Sequence, residues 1–340
     1  MNNLDFKKPY IIAEIGGNHE GDFDYAKELL IKAAEAGADA AKFQTYYPDK
    51  IVSKVEDENR HNHFSKFVLS IENYKELASI ASDNGISFMS SIWDKESLHE
   101  LDPFINIHKI GSGDLTNLPL IKEIISTDKP LIISTAMATM DEISKTVNFI
   151  KEIDPSYICK SKLAILQCVA MYGDLNDEYA NLNVISSLRK EFKDLTIGYS
   201  DHTKGIYAAN IAVALGAKIL EIHFTDDINR DFRDHKLSAT KQDIIELKGN
   251  ITKTLKLLGS EIKTPEVKIE TKERITEFRR ACYLKEDVKK GETITHKTLT
   301  TLRPCKGIDA RDYYKLIGKK ININKKAFEA IYWEDIEENE

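Results

Sequence analysis

The sequence predicts an α/β protein: a TIM (β/α)8 barrel followed by a small β-rich domain. Three observations carry this. Eight short β-rich runs alternate with amphipathic segments over the first 260 residues. Eight such pairs favour a closed barrel over a doubly wound sheet, which would want a GxGxxG turn after its first strand, and "EIGGNHEG" is not one. Beyond Gly259 the alternation stops. Polar residues also recur at one parity of the strands, where a closed barrel would gather them at one end.

The β-rich runs are, in order, "YIIAEIG", "AAKFQTY", "SFMSSIW", "IHKIGSG", "PLIISTAM", "LAILQCVA", "TIGYSDH" and "KILEIHFT". Between them, segments such as "DYAKELLIKAAEAG" and "TMDEISKTVNFIKEI" place apolar residues at i, i+3 and i+4, the pattern of a helix with one buried face. Gly37, Gly85, Gly216 and Gly259 stand where these helices should end. After the second strand, "SKVEDENRHNHFSKF" reads as a long solvated loop, with His61 and His63 as loop residues rather than ligands. The domains are then a catalytic barrel over 1–260, a charged linker over 261–279, and a compact domain of short strands over 280–340.

Composition narrows the function. Of 340 residues, 42% are apolar and 30% charged, with a net charge of −7, so no basic footprint for nucleic acid is present. No run of 18 apolar residues predicts a membrane span, and "MNNLDFKKPYII" lacks the order of a signal peptide. Cys159, Cys168, Cys282 and Cys305 show no ligand-like spacing and read as reduced thiols of a cytoplasmic protein, with Cys168 a small buried apolar residue.

Strand parity points to the chemistry. In "IIAEIG", Ile12 and Glu14 share a face opposite Ile11, Ala13 and Ile15. The apolar set must meet the outer helices, so the polar set faces inward. This predicts that Glu14, Lys42, Gln44, Lys109, Ser134, Gln167, Ser200, His202, Glu221 and His223 converge inside the barrel, mostly near strand C-termini, where such barrels carry their sites. Buried charge is costly unless paired or used. Lys42 and Lys109 with Ser112, Ser134 and Ser200 suit a phosphate or carboxylate. His202 and His223 end adjacent strands and could share a divalent metal that keeps open positions. Glu14 is placed to act as a general acid or base.

Five motifs in register, "AEIGGNHEGDFDYAKELLIKAAEAGADAAKFQTY", "KIGSGDLTNLPLI", "IISTAM", "IGYSDHTKG" and "LEIHFTDD", resemble the N-acetylneuraminate (sialic acid) synthase family, which includes legionaminic and pseudaminic acid synthases. The tail resembles that family's antifreeze-like (SAF) domain, so the likeness covers nearly the whole chain. It implies condensation of phosphoenolpyruvate with an N-acetylmannosamine-type amino sugar, release of phosphate, and a divalent metal, manganese or magnesium. By motif it implies that Glu14, Lys42 and Lys109 are catalytic. Lys42, Lys109, Ser112, Ser134 and Ser200 would bind phosphoenolpyruvate. Gln44, Tyr172, Asp234 and Arg303 would contact the sugar, and His202 and His223 the metal. Arg303 would reach the partner's site in a domain-swapped homodimer. Related condensations of the 3-deoxy-octulosonate phosphate type leave the SAF-like tail unexplained, and a non-catalytic carbohydrate-binding protein leaves the charged residues unexplained.

Three departures from the family pattern bear on the substrate. Ala170 and Gly173 stand in "QCVAMYGD", Phe232 and Arg233 replace small residues in "RDFRDHKLS", and Trp93 in "SSIWD" replaces a smaller aromatic. These predict an acceptor other than plain N-acetylmannosamine: a 2,4-diacetamido-trideoxy hexose, or a sugar with an acidic group to meet Arg233.

Overall fold

The computed structural model describes residues 3–171 and 177–337. The chain divides into two compact units, Met1–Gly259 and Ser260–Glu340. The first is a TIM barrel: β1 (Tyr10–Gly16), β2 (Ala40–Thr45), β3 (Ser87–Ile92), β4 (His108–Ile110), β5 (Leu131–Ser134), β6 (Leu163–Cys168), β7 (Thr196–Asp201) and β8 (Ile219–His223) form a closed parallel sheet. It closes where β8 pairs with β1, from Tyr10 opposite Ile219 to Glu14 opposite His223.

Alternation along each strand sorts the side chains into two cores. Outward residues such as Ile11, Ala13, Ile15, Ile133, Ile165 and Ile222 pack under the surrounding helices. Inward residues Tyr10, Ile12, Ala40, Met89, Ile107, Ile132, Ala164, Leu166 and Ile219 form a separate apolar cluster with Leu4. Phe6 stacks on Tyr10, and Leu4 is pinned by Ser161 and Thr196, so the N-terminal segment seals the rear of the barrel. Gly198 on β7 faces this interior, pressed against Leu166 and Ile219.

Local signals set the helix ends. Asp22 caps Phe23–Ala36 by accepting from the Tyr25 amide, and Gly37 ends it in the left-handed region. Capping boxes start Ile71–Asp83, Met140–Ile153 and Lys241–Leu258. The segment after β2 departs from the expected solvated loop. It folds into two short helices, Pro48–Ile51 and Glu58–Ser65. Asp57 caps the second, and Phe64 anchors it with edge-on contacts to Tyr46 and Trp93. His61 is buried there, with Nε2 2.7 Å from Asp49 Oδ1.

In the second unit, Lys272–Phe278 is helical within the stretch read as a linker, started by the Thr271 cap. Strands β9 (Ala281–Leu284) and β10 (Leu299–Leu302) pair antiparallel over a core of Cys282, Leu284, Val288, Ile294, Leu299 and their neighbours. All four cysteines are free thiols. Among the described residues, no helix is long and apolar enough to cross a membrane.

Candidate active site

One layer above the apolar cluster, the same inward positions turn polar. Ile12 gives way to Glu14, Ala40 to Lys42, Met89 to Ser91, Ile107 to Lys109, Ile132 to Ser134, Leu166 to Cys168 and Ile219 to Glu221. These residues line an open cavity of about 1180 Å³ at the C-terminal mouth of the strands.

Its floor is a balanced set of four charges. Lys42 Nζ lies 2.7 Å from Glu14 Oε2 and 3.5 Å from Glu221 Oε2, and donates to Ser91 Oγ at 3.0 Å. Lys109 Nζ donates to Ser134 Oγ at 2.8 Å and to the Ile110 carbonyl at 2.9 Å, and lies 3.5 Å from Glu221 Oε1. Ser200 donates to Glu221 at 2.8 Å, and Gln44 to Glu14 at 2.9 Å. The two lysines diverge in character. Burial alone would lower Lys42, but Glu14 and Glu221 overcome it and hold Lys42 above its ordinary value. Burial dominates at Lys109 and, with Lys42 adding to it, holds that amine below its ordinary value against Glu221. Glu221 is held low: burial would raise it, but Lys109, Lys42 and the Ser200 hydroxyl outweigh the burial.

Backbone geometry places Glu14. The β1–β2 register slips between Glu14 and Gly16, a bulge that re-aims the strand end. Gly16 follows at φ 54°, and a Cβ there would sit 3.1 Å from Glu14 Oε1 and 3.3 Å from Gln44 Nε2. Only glycine therefore leaves both the turn and the Glu14–Gln44 bond undisturbed.

His202 and His223 stand together at one side of the mouth, both buried, with ring centroids 5.1 Å apart. Burial, reinforced by His223, pushes His202 down to about 3, so its imidazole is neutral, the form that binds metal. Cys168 Sγ lies 3.5 Å from His202 Nδ1, and its thiol is pushed up to about 11 chiefly by burial. Among the described residues no three His, Cys, Asp or Glu side chains gather as a closed metal cage. The donor set fits an open divalent ion held by two imidazoles, with remaining positions for substrate or water.

Above the floor the wall is aromatic. Tyr46 and Trp93 stack at 5.0 Å with Phe64 edge-on to both, and Phe67 meets Phe232 at 4.9 Å. Asp234 is buried and lines the same cavity.

Of the residues expected at the site, Glu14, Lys42, Gln44, Lys109, Ser112, Ser134, Ser200, His202, His223 and Asp234 line this one cavity. Ser112 also accepts from the Ala136 amide at 2.9 Å, tying the ends of β4 and β5 together. Tyr172 lies outside the described residues. Arg303 belongs to the second unit, where its guanidinium lies 6.0 Å over the Phe278 ring. Gln167 corrects the parity argument. It faces outward and donates to the Ala180 carbonyl, while Cys168 takes the inward place. Polarity suggested Gln167, but the register Ala164–Leu166–Cys168 decides it. Ser91 was missed, although its parity with Met89 could have found it. Glu221 was placed inside by parity, but its part in bridging both lysines was not foreseen.

Residues 29–263 match the NeuB family and residues 279–337 the SAF domain. The N,N'-diacetyllegionaminic acid synthase of Campylobacter jejuni is 37% identical, over 96% of this chain and 99% of that protein. The N-acetylneuraminate-9-phosphate synthase of Mus musculus is 35% identical, over 96% of this chain and 92% of that protein. The crystal structure of the N-acetylneuraminic acid synthetase from Leptospira borgpetersenii, in complex with citrate, aligns with a TM-score of 0.71 at 31% identity, covering 78% of this chain and 90% of that one.

Proposed function

The chain belongs to the NeuB family of acid-synthase enzymes, and from that premise we propose that it condenses phosphoenolpyruvate with an open-chain amino sugar to make a nonulosonic acid, releasing phosphate. The observation that carries the reading is the floor: two buried lysines flanked by serine hydroxyls, with Glu14 beside one of them and a histidine pair at the rim.

Each part has a task. Lys42 and Lys109 receive the phosphate and carboxylate of phosphoenolpyruvate, with Ser112, Ser134 and Ser200 as neighbouring hydroxyls. In the bond change, C3 of phosphoenolpyruvate attacks the aldehyde carbon, whose oxygen takes a proton. Water adds at C2, and the C2–O bond breaks as phosphate leaves with the bridging oxygen. Glu14 holds or moves a proton beside these atoms, and the fixed lysine charges stabilise the charge that develops. His202 and His223 would hold a manganese or magnesium ion, which when bound supplies Lewis-acid polarisation of the aldehyde oxygen. Gln44 and Asp234 face the sugar.

The acceptor is a 2,4-diacetamido-trideoxy hexose. The aromatic wall of Tyr46, Trp93, Phe64, Phe67 and Phe232 suits acetamido and C-methyl groups better than a polyhydroxyl chain. Relatives from Campylobacter jejuni and Legionella pneumophila, 37% and 34% identical, are N,N'-diacetyllegionaminic acid synthases. A homodimer in which Arg303 serves the partner's site completes the proposal. It is tested by mixing Lys42→Met with Arg303→Ala protein, where heterodimers should regain activity that neither parent shows.

The direct test is phosphate release from phosphoenolpyruvate with manganese, across a panel of sugars. Release with the diacetamido-trideoxy hexose in clear preference to N-acetylmannosamine is the expected result. Equal turnover of both removes the acceptor assignment. Release only with an amino-sugar phosphate favours a product like that of the N-acetylneuraminate-9-phosphate synthases. Release only with a pentose phosphate favours an octulosonate-type reaction, and release with none favours a binding protein.

A further inference from the structure

The chain between Phe224 and Ala239 is an excursion from the barrel. Its two ends are held at the neck, where Thr225 N donates to the Ala239 carbonyl at 3.0 Å and Ala239 N to the His223 carbonyl at 2.7 Å. Within the excursion, Phe232 and Asp234 line the cavity. What holds the excursion over the mouth comes from the loop after β1.

His235 is fully buried and bridges the two segments. Its Nε2 lies 3.2 Å from Glu20 Oε1, and its Nδ1 2.6 Å from Thr225 Oγ1. A carboxylate only accepts, so Nε2 carries the proton and Nδ1 accepts from the Thr225 hydroxyl. The same Glu20 oxygen accepts from Arg230 Nε at 2.9 Å. A second tie runs beside it. Asn18 Nδ2 donates to the Phe224 carbonyl and to Ser238 Oγ, both at 2.9 Å, and Ser238 Oγ donates to the Asp234 carbonyl at 2.6 Å. Asp234 therefore sits between two anchors that both originate in residues 18–20.

Glu20 makes its contacts from φ 54°, the left-handed region that a residue with a Cβ rarely enters and that surrounding contacts must hold. Neither Glu20 nor His235 lines the cavity, and both His235 nitrogens are engaged within the protein, so neither serves as ligand or proton carrier there. The barrel does not need the bridge to close: the β1–β8 ladder is complete by Glu14 and His223.

We infer that the Glu20–His235–Thr225 bridge positions the acceptor site, holding the 225–238 excursion so that Asp234 and Phe232 meet the sugar. Glu20 and His235 are thus positioning residues that determine acceptor affinity. The inference rests on the condensation reading for the identity of the acceptor.

Three variants test it. Thr225→Val keeps the shape and removes the hydroxyl that meets His235 Nδ1 and the Asp227 main chain. Glu20→Gly removes the carboxylate and relaxes the backbone. His235→Gln retains a donor for Glu20 and an acceptor for Thr225. The first two should raise the acceptor KM about tenfold, the effect of losing the buried hydrogen bond at His235, with the phosphoenolpyruvate KM within about twofold. In Glu20→Gly the relieved backbone offsets the lost bonds, so the melting temperature should stay near wild type while the acceptor KM alone rises. His235→Gln should stay close to wild type. Amide hydrogen exchange over 226–238 should rise in Thr225→Val and Glu20→Gly, but not in β1 or β8. An unchanged acceptor KM in both variants, or parallel rises in both KM values, overturns the inference. If no sugar is turned over by the wild type, the condensation reading fails by itself. Hydrogen exchange then still decides the bridge, and unchanged exchange over 226–238 overturns it.

Discussion

Glu221→Gln keeps the shape of the side chain and removes one of the two negative charges that balance Lys42 and Lys109. Each lysine nitrogen lies 3.5 Å from a Glu221 oxygen, an attraction of roughly 5 kcal/mol per pair at an effective dielectric constant of about 20. Much of that attraction offsets the cost of burying the charges. The loss is also capped, because Lys109 is already held below its ordinary value and can shed its proton instead. Neutralising a lysine of reference pKa about 10.4 at pH near 7.5 costs at most about 4 kcal/mol. A net loss of about 3 kcal/mol should lower the melting temperature by roughly 6–12 °C in a domain of this size. The effect on an anion has the opposite sign. The wild-type floor pairs two lysines with two carboxylates, whereas the variant lacks one carboxylate that repels an anion, so a bound anion supplies the missing counter-charge and favours the charged form of both lysines. Thermal melts of metal-free protein at constant pH, with and without phosphoenolpyruvate, read both effects. The apo variant should melt lower, and its phosphoenolpyruvate-induced rise should exceed that of the wild type. An unchanged apo melting temperature, or a ligand-induced rise no larger than the wild type's, refutes the balanced-floor reasoning.

His202→Ala should abolish divalent-metal binding, measured by calorimetry on chelator-stripped protein, together with turnover; retained metal-stimulated activity would count against His202 as a ligand. His19 and His108 are buried, and burial pushes each from 6.5 down to about 4, against nearby acids. Their neutral forms suit the fold, so the stability they contribute is present above about pH 6.5 and drains away as pH falls towards 4, by roughly 3 kcal/mol each. Urea midpoints between pH 7.5 and 4 should fall less steeply in His108→Gln, and equal slopes would disprove the assignment. In Gly198→Ala the new methyl would press on Leu166 and lie 2.5 Å from the Ile219 carbonyl oxygen, which as main chain cannot yield. Overpacking of this kind costs roughly 1–3 kcal/mol, and a melting temperature equal to wild type would show that β7 can shift.

Strand alternation made the inner face of the barrel legible because Ile12 and Glu14, or Ile219 and Glu221, differ only in height along one face. The same rule fails when polarity stands in for register. Gln167 looked inward because it is polar, yet its amide finds the Ala180 carbonyl outside the sheet. Helix Glu58–Ser65 was invisible for a different reason. It has almost no apolar periodicity of its own, and its anchor is Phe64 set against Tyr46 and Trp93, residues brought there by two other strands. The Glu20–His235 contact spans 215 residues, and no local pattern could pair them.

The sealed rear of the barrel has a consequence for traffic. Leu4 and the apolar layer above it close the rear, so among the described residues the cavity opens at the C-terminal mouth of the strands. On the proposed reading, the phosphoenolpyruvate seat lies at the bottom of this vessel and the sugar above it, so the two substrates form a queue. The deeper guest must be seated first, and a sugar that arrives early bars the way. On the same reading, departing phosphate and the finished acid leave by that mouth.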